Sequence, residues 1–431
     1  LTAVRQCPPT ENITSGPTGA AYGLTAMRRQ ALLFLAVAPR LPFALRVGSH
    51  EASDHVLMAF QSYVHSYGRS YASAEEYHMR MDIFQRRMRE VELQNSKPHR
   101  LWRAATNELS DRTEAEIARL SGWSGYALPE LRAGRAGQSA PRQGADAKQP
   151  LPKEFLNWTT LEASKQISTQ GQCGSCWALA SAKLLQFHNE IHRPKRHRSF
   201  SAEEILACVP NPVHCGGAGG CKGATPELAF DWIGKHGLST EEVSPYIGMA
   251  GACPKRIGGG TSLIRSRRRL REAMDKLFAP GAHVLPKDSP ARAFGMVGWV
   301  RLPSNKQEPI LRTLVEQGPV AVSVDSTSWH QYAGGLFDDC RDSITLKHAA
   351  VLVGYGEDKY HKLPYWRFQN SWGKTWGEGG HIRIHVADDD EIRCGIDEMP
   401  ELGSGCEGGP REVEVCGSCG ILYDAVAPIF G

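Results

Sequence analysis

Residues 170–178 read QGQCGSCWA, and a helical pattern of apolar residues follows them up to His192. Cys176 therefore stands where a loop enters a helix, and the unpaired N–H groups and dipole of a helix N-terminus stabilise an anion. Because the thiolate is the reactive form of cysteine, this position indicates a nucleophile. The loop glycines let backbone N–H groups approach a substrate carbonyl, and Gln170 offers a side-chain donor to a developing oxyanion.

A nucleophilic cysteine needs a base and a group that orients the base, and both usually lie far away in sequence. His348 stands near the start of the strand-like run LKHAAVLVGYG, residues 346–356. Asn370 lies in QNSWG, residues 369–373, directly after the next strand-like segment. Taken singly, His348 fits a core histidine and Asn370 fits a turn residue, but with Cys176 they form a catalytic pattern.

The tetrapeptide Cys-Gly-Ser-Cys occurs again at residues 416–419, where no helical pattern follows. We interpret this second copy as part of structural disulfides. Two such pairs also fit a thiol–disulfide oxidoreductase, but neither lies in the strand–helix–strand context of that chemistry. A zinc-binding or inactive interaction protein is the other alternative, and the sequence lacks histidine pairs at zinc-finger spacing.

Together, these segments resemble the papain-like cysteine peptidases, whose signature combines Cys-Gly-Ser/Ala-Cys-Trp/Tyr with a downstream His and Asn. The resemblance implies an α+β, papain-like fold of two lobes, one helical and one an antiparallel, barrel-like sheet. It implies an endopeptidase with polypeptide substrates, an acyl-enzyme thioester, no cofactor and no metal. Cys176 is then the nucleophile, His348 the general base and acid, and Asn370 the orienter of the imidazole. Gln170 is the oxyanion donor.

The resemblance also indicates a substrate cleft. The residues that it implies for substrate binding are Gly174, Gly223, Ala224, Thr225, Pro226, Leu346, Ala349 and Trp372. Gly223 and Ala224 are expected to offer backbone hydrogen bonds to an extended peptide, as strand addition does. Trp372 is expected to shield the bond between His348 and Asn370. We also expect a thiolate–imidazolium pair, which lowers the cysteine pKa and raises the histidine pKa.

The pocket for the second residue before the cut is expected to be apolar. Pro226, Leu346 and Ala349 would line it, and its floor stays open between Met399 and Ala425. No occluding loop with paired histidines is present, so the pattern favours an endopeptidase over a carboxydipeptidase.

The segment before the linker resembles the inhibitory propeptides of the same family. The matching positions along one helix are Glu76, Arg80, Ile83, Phe84, Val91 and Asn95. Residues 107–111, NELSD, resemble a second propeptide motif. The chain is therefore expected to be a zymogen whose own propeptide is an intramolecular inhibitor. We expect acid to release it by protonating Glu76 and Asp111.

These patterns predict the organisation of the chain. The predicted segments are an unstructured N-terminus at 1–50 with a candidate signal sequence at 27–45, the propeptide at 51–120, an activation linker at 121–150 and the peptidase domain at 151–431. Residues 255–292 contain three consecutive glycines and a basic run, which are typical of a surface insertion.

The chain has twelve cysteines. The resemblance implies three bridges: Cys173–Cys221, Cys208–Cys253 and Cys340–Cys394. The pairing of Cys215, Cys406, Cys416 and Cys419 stays open. Many cysteines favour an oxidising compartment, so we expect a secretory-pathway protein delivered to a lysosome or vacuole or to the extracellular space.

Composition excludes several other classes of protein. Hydrophobic residues make up 41% of the 431 residues and charged residues 22%, as in ordinary globular domains. A net charge of +4 gives no reason to expect a nucleic-acid partner. No apolar run is long enough for a membrane span, and we expect a monomer.

Overall fold

The computed structural model describes residues 43–120, 150–254, 282–340, 344–387 and 393–431. The candidate leader up to residue 42, the linker at 121–149 and part of the predicted insertion, 255–281, lie outside the described residues. The chain divides into Leu1–His55, of which the structure describes only residues of the first helix, and Val56–Gly431, which holds every later element.

The N-terminal part is helical, and its first helix begins at Phe43, so the predicted unstructured N-terminus at 1–50 is wrong for residues 43–50. Its elements are α1 (Phe43–Ser66), α2 (Ala74–Ser96), strand β1 (Trp102–Ala104) and α3 (Glu114–Leu120). A capping box starts α2: the Ser73 hydroxyl accepts from the Glu76 N–H at 3.2 Å, and the Glu76 carboxylate accepts from the Ala72 N–H at 2.9 Å. Phe60 and Phe84 are buried in the aromatic core between α1 and α2.

The helical lobe is built around one buried helix. Its helices are α4 (Glu162–Lys165), α5 (Cys176–His192), α6 (Ala202–Cys208) and α7 (Pro226–His236). Leu184, Leu185 and Phe187 of α5 have no exposed surface, because α6 and α7 pack against that helix on one side and the sheet on another. Burial of such side chains stabilises the lobe by about 1.5–3 kcal/mol each.

The second lobe is a large sheet. Its elements are β2 (Ala282–Val284), β3 (Met296–Arg301), α8 (Gln307–Glu316), β4 (Val320–Val324), β5 (Tyr332–Phe337), β6 (His348–Glu357), β7 (Pro364–Gln369), β8 (His381–His385), β9 (Cys394–Asp397), β10 (Val413–Cys416) and β11 (Ala425–Phe430). The strand order is β1-β5-β8-β7-β6-β4-β11-β3-β2, and among the described strands only β5 and β8 pair in parallel. β9 and β10 form a separate hairpin. The predicted α+β fold is confirmed.

Two contacts between elements matter for the site. α5 packs against β6, which brings the first residue of the helix near the first residue of the strand. β1 of the N-terminal part pairs with β5, with Trp102 opposite Gly335, so this part extends the sheet of the second lobe. A side chain at Gly335 would collide with the backbone at Leu101, since an added Cβ would lie 2.4 Å from the Leu101 carbonyl oxygen.

The disulfides correct one prediction. The structure contains Cys173–Cys221 and Cys208–Cys253, but the predicted Cys340–Cys394 bridge is wrong. The remaining bridges are Cys215–Cys406, Cys340–Cys419 and Cys394–Cys416. The physical reason is the β9–β10 hairpin, whose register places Cys394 directly opposite Cys416 and leaves Cys419 for Cys340.

The predicted insertion at 255–292 is too long at its C-terminal end. Residues 282–284 form β2, which pairs with β3 at the edge of the sheet. Leu285 and Ala291 are buried in the helical-lobe core. Residues 282–292 therefore belong to the folded domain, although the glycines and basic residues that precede them in the predicted insertion are typical of a loop.

Candidate active site

Cys176 is the first residue of α5 and is buried. The loop before it is fixed by the Cys173–Cys221 disulfide and by the Gly174 N–H, which donates to the Cys221 carbonyl at 3.0 Å. Among the described cysteines, Cys176 alone has no disulfide partner. The helix start therefore presents one thiol, as the sequence predicts.

His348 and Asn370 are brought together by neighbouring strands. His348 opens β6 and Asn370 follows β7, and these strands pair. The His348 Nε2 lies 2.8 Å from the Asn370 Oδ1, which also accepts from the Ser371 N–H at 2.8 Å. Because that oxygen is an acceptor, Nε2 carries the imidazole proton. Nδ1 is buried and has no hydrogen-bond partner among the described residues, so it is the nitrogen left for Cys176.

Aromatic rings enclose the imidazole. The Trp372 ring centroid lies 5.1 Å from that of His348, and the Trp329 ring meets His348 edge-on at 6.1 Å. Trp376 in turn packs edge-on against Trp372 at 5.1 Å. These buried rings keep water away from the bond between His348 and Asn370, which strengthens that bond.

A carbonyl of the N-terminal part occupies the site. The Gln170 side-chain amide donates to the Leu120 carbonyl at 2.7 Å, and its own Oε1 accepts from the Ser371 hydroxyl at 2.8 Å. Leu120 is the last residue of α3 and is buried. The donor predicted to stabilise an oxyanion is therefore engaged by a carbonyl from the same chain. Neither Leu120 nor Ser371 carries a sequence signal that would have identified it.

Burial controls the protonation of both reactive groups. Desolvation raises the pKa of the Cys176 thiol to about 11, although the backbone N–H groups of Ala349 and Trp177 favour the thiolate. Desolvation also lowers the pKa of His348 to about 4, against the effects of Asn370 and Leu120. Both directions are opposite to the expected thiolate–imidazolium pair. In this covered state burial favours the neutral form of both groups, and the ion pair stays a prediction for the uncovered site.

The N-terminal part is held together by charge and hydrogen bonds. The Asp111 carboxylate accepts from the hydroxyls of Tyr63 at 2.8 Å and Tyr71 at 3.0 Å. Arg80 forms an ion pair with Glu116. Burial tends to raise the pKa of Glu116, but hydrogen bonds from Arg80 and from Thr113 lower it to about 2.

The partly exposed Glu76 also has a lowered pKa, caused by the hydrogen bonds that its carboxylate accepts from the Ala72 N–H and from Arg80. A lowered pKa agrees with the expectation that Glu76 is charged near neutral pH and is protonated in acid. The Glu116 pKa, however, places the loss of the Arg80–Glu116 pair well below the pH of mild acid.

A small cavity lies beside Cys176. The predicted residues that line it are Ala224, Thr225, Pro226, Leu346 and Ala349, together with His348. The other described residues that line it are Gly216, Ser323, Lys347, Gly403 and Ser404. Gly403 and Ser404 belong to residues 400–407, which we call the strap. Neither Met399 nor Ala425 is among the described residues that line this cavity.

Gly174 and Gly223 use their backbone groups inside the loops. The Gly174 N–H donates to Cys221, as described above. The Gly223 N–H donates to the Gly220 carbonyl at 3.2 Å, and the Gly223 carbonyl accepts from the Gly219 N–H at 2.7 Å. These bonds engage the Gly223 N–H and one acceptor site of its carbonyl, and backbone bonds from Gly223 and Ala224 to substrate stay a prediction.

Comparison with known proteins agrees with this geometry. Residues 151–403 match the family model described as papain family cysteine protease. The chain belongs to the papain family of cysteine proteases. Residues 60–117 match the cathepsin propeptide inhibitor domain (I29), which indicates intramolecular inhibition. The protein is a cysteine-type endopeptidase made as a zymogen.

The individual relatives have low sequence identity to this chain, but the matches cover most of its length. Fruit bromelain from Ananas comosus is 26% identical over 78% of this chain and 82% of its own. The KDEL-tailed cysteine endopeptidase CEP2 from Arabidopsis thaliana is 28% identical over 77% of this chain and 81% of its own. The structure of digestive procathepsin L 3 from Tenebrio molitor has a TM-score of 0.60 at 22% identity, over 87% of this chain and 99% of its own, which shows a shared fold.

The alternative functions lose support in the structure. Each cysteine of the two Cys-Gly-Ser-Cys segments, apart from Cys176, bonds to a cysteine elsewhere, so neither segment forms an internal redox pair. The one described cluster with metal-ligand spacing is Cys394, Glu414 and Cys416, whose two sulfurs already bond to each other. No described helix is long and apolar enough to cross a membrane.

Proposed function

We propose that Cys176, His348, Asn370 and Gln170 perform peptide-bond hydrolysis once the site is uncovered. His348 Nδ1 accepts the thiol proton of Cys176, and the sulfur attacks the scissile carbonyl carbon. The carbonyl oxygen becomes an oxyanion, which accepts a hydrogen bond from the Gln170 side-chain amide. The C–N bond then breaks, the amine leaves with the proton from Nδ1, and the acyl group remains on sulfur as a thioester.

The second half of the reaction uses the same groups. His348 Nδ1 removes a proton from water, and the resulting hydroxide attacks the thioester carbon. The C–S bond breaks, the carboxylic acid leaves, and the proton returns to Cys176. Asn370 holds the His348 ring so that Nδ1 faces the sulfur throughout. Trp372 covers the hydrogen bond between His348 and Asn370.

The observation that supports this proposal best is the hydrogen bond from Gln170 to the Leu120 carbonyl at 2.7 Å. A carbonyl held by this donor beside Cys176 occupies the position where a substrate carbonyl would react. We place the propeptide at 51–120, the activation linker at 121–150 and the peptidase domain at 151–431. Cleavage in the linker would then release Leu120 and free the donor.

We also propose a monomer of the secretory pathway, delivered to a lysosome or vacuole or to the extracellular space. The five disulfides among the described residues support an oxidising compartment. Polypeptides are the proposed substrates, and neither nucleic acid nor a stable membrane span is part of the proposal.

The direct test replaces one atom of the nucleophile. We expect processed Cys176→Ser to keep the fold, as judged by circular dichroism, and to lose more than nine-tenths of the peptidase activity of the processed wild type. Because Cys176→Ser cannot process itself, an added protease should cleave the linker in both proteins. Retention of a tenth of the activity or more would refute the assignment of Cys176.

A further inference from the structure

The segment between Cys394 and Cys416 is a closed hairpin that reaches across to the other lobe. β9 and β10 pair from Cys394 to Asp397, and the Cys394–Cys416 disulfide closes the base. The strap lies in the connection between the two strands. The Gly403 and Gly405 N–H groups both donate to the Pro400 carbonyl, at 3.0 and 2.8 Å, so the strap is a tight turn.

The strap is bonded to the helical lobe. The bonds to residues 213–216 are the Cys215–Cys406 disulfide, the Gly216 N–H to the Gly405 carbonyl at 2.9 Å and the Glu407 N–H to the Val213 carbonyl at 2.9 Å. The His214 imidazole also lies 2.8 Å from the Glu407 carboxylate. A covalent bond and two backbone bonds therefore fix the strap across the cleft, whereas a hydrogen-bonded loop alone would be free to open.

Two glycines lie against opposite walls of the cavity: Gly403 of the strap and Gly216 of the segment that is bonded to the strap. At Gly403 an added Cβ would lie 2.5 Å from the Leu346 carbonyl oxygen, so the strap backbone lies directly on the wall of the sheet lobe. At Gly216, whose φ is +68°, an added Cβ would lie 2.8 Å from the Ala224 carbonyl oxygen on the wall of the helical lobe. The strap and residues 213–216 together thus cover the space between Leu346 and Ala224.

The roofed space is small. The cavity that Cys176, Pro226, Leu346 and Ser404 help to line has a volume of about 20 Å³, which is enough for about one water molecule. A leucine or phenylalanine side chain is much larger than one water molecule, so we expect it not to enter this space while the strap is anchored. Glycine has no side chain to place, and alanine adds a single methyl group.

We propose that the strap, anchored by Cys215–Cys406, makes this peptidase select a small residue, glycine or alanine, at the second position before the scissile bond. This inference rests on the proposed function and on the expectation, implied by the family resemblance, that Pro226, Leu346 and Ala349 line the pocket for that substrate residue. The strap then acts as a specificity determinant that the apolar lining alone does not reveal, because Pro226, Leu346 and Ala349 by themselves suit a larger aliphatic side chain.

The test compares peptides that differ only at that position. The processed full-length protein and its Cys215→Ser/Cys406→Ser variant should be assayed for kcat/KM on matched peptides carrying alanine or leucine there. We expect the wild type to prefer alanine, and the variant to raise the leucine-to-alanine ratio at least tenfold. The matched control is Cys208→Ser/Cys253→Ser, which removes a disulfide that does not join the strap and should leave the ratio unchanged.

A second variant guards against misfolding of the first. Ser404 is partly exposed and lines the cavity, so Ser404→Leu should narrow the space. It should reduce cleavage of the peptide with alanine at the second position before the cut more than cleavage of the matched peptide with glycine there. Equal alanine-to-leucine ratios in wild type and the unanchored variant would overturn the inference and leave the proposed function intact. Absence of a Cys215–Cys406 peptide from a non-reducing peptide map would also overturn it. Loss of all Cys176-dependent hydrolysis would instead overturn the proposed function.

Discussion

His330 is expected to help acid release the propeptide. It lies on the peptidase side, where its backbone carbonyl accepts from the Asn107 side chain at 2.7 Å. Burial first, and then the charge of Arg87, lower the pKa of its imidazole to about 4, while Glu90 and Glu114 oppose the shift. Its Nε2 is buried without a hydrogen-bond partner among the described residues. The propeptide therefore favours neutral His330.

The size of this effect follows from the difference in the His330 pKa between the bound and the released propeptide. We expect release to restore the ordinary histidine pKa of about 6.5. Since the bound pKa is lower, the contribution of neutral His330 to propeptide binding is complete above about pH 6.5 and is lost as the pH falls toward about 4. At pH 4.5 the propeptide loses at most about 2–3 kcal/mol of binding free energy, which corresponds to roughly 30- to 150-fold weaker binding.

The perturbation is His330→Gln, which keeps a polar side chain of similar size and removes the titration. Processing of the refolded precursor near residue 151 should be followed by gel and by activity from pH 7 to pH 4. We expect the variant to process at least tenfold more slowly than wild type at pH 4.5 and equally at pH 7. The exposed His361→Gln is the matched control and should behave as wild type. An unchanged pH profile in His330→Gln would exclude this role for His330.

Further predictions concern the oxyanion donor and the propeptide interface. Gln170→Ala in the processed enzyme should lower kcat by about 10²–10³ with little change in KM, and an unchanged kcat in steady-state assays would contradict its role. Val91 packs against the sheet core, so Val91→Asp should weaken propeptide binding by about 1–3 kcal/mol and make the unprocessed precursor measurably active at pH 7. Leu93→Asp, at an exposed site on the same helix, is its control; equal activity of the two precursors would contradict this packing.

The sequence allowed the elements that carry the proposed catalytic residues to be predicted. The loop-to-helix position of Cys176 and the strand-end positions of His348 and Asn370 depend on local patterns, and such patterns are visible in one chain. The N-caps at Ser73 and Ser201 also depend on a local pattern, a serine three residues before a glutamate, and Ser201 accepts from the Glu204 N–H at 2.9 Å.

What could not be predicted depends on pairing between distant residues. The second Cys-Gly-Ser-Cys offers two equivalent sulfurs, and only the β9–β10 register decides that Cys416 bonds to Cys394. The strap contains Gly, Ser and Glu, which are ordinary loop residues, and its place over the cavity follows from the bond to Cys215. The low histidine pKa values depend on burial beneath the propeptide, which no local pattern reports.

We expect one thiol, Cys176, to change from a covered neutral group to an activated nucleophile when the propeptide leaves. The measurement is the pH dependence of Cys176 alkylation by iodoacetamide, located by mass spectrometry, in the precursor, the processed enzyme and processed His348→Ala. We predict slow alkylation that rises only at alkaline pH in the precursor, because burial raises the pKa of Cys176 to about 11. We predict fast alkylation that persists below pH 6 in the processed enzyme, and thiol-like behaviour in His348→Ala. Identical profiles for the processed wild type and His348→Ala would contradict the account.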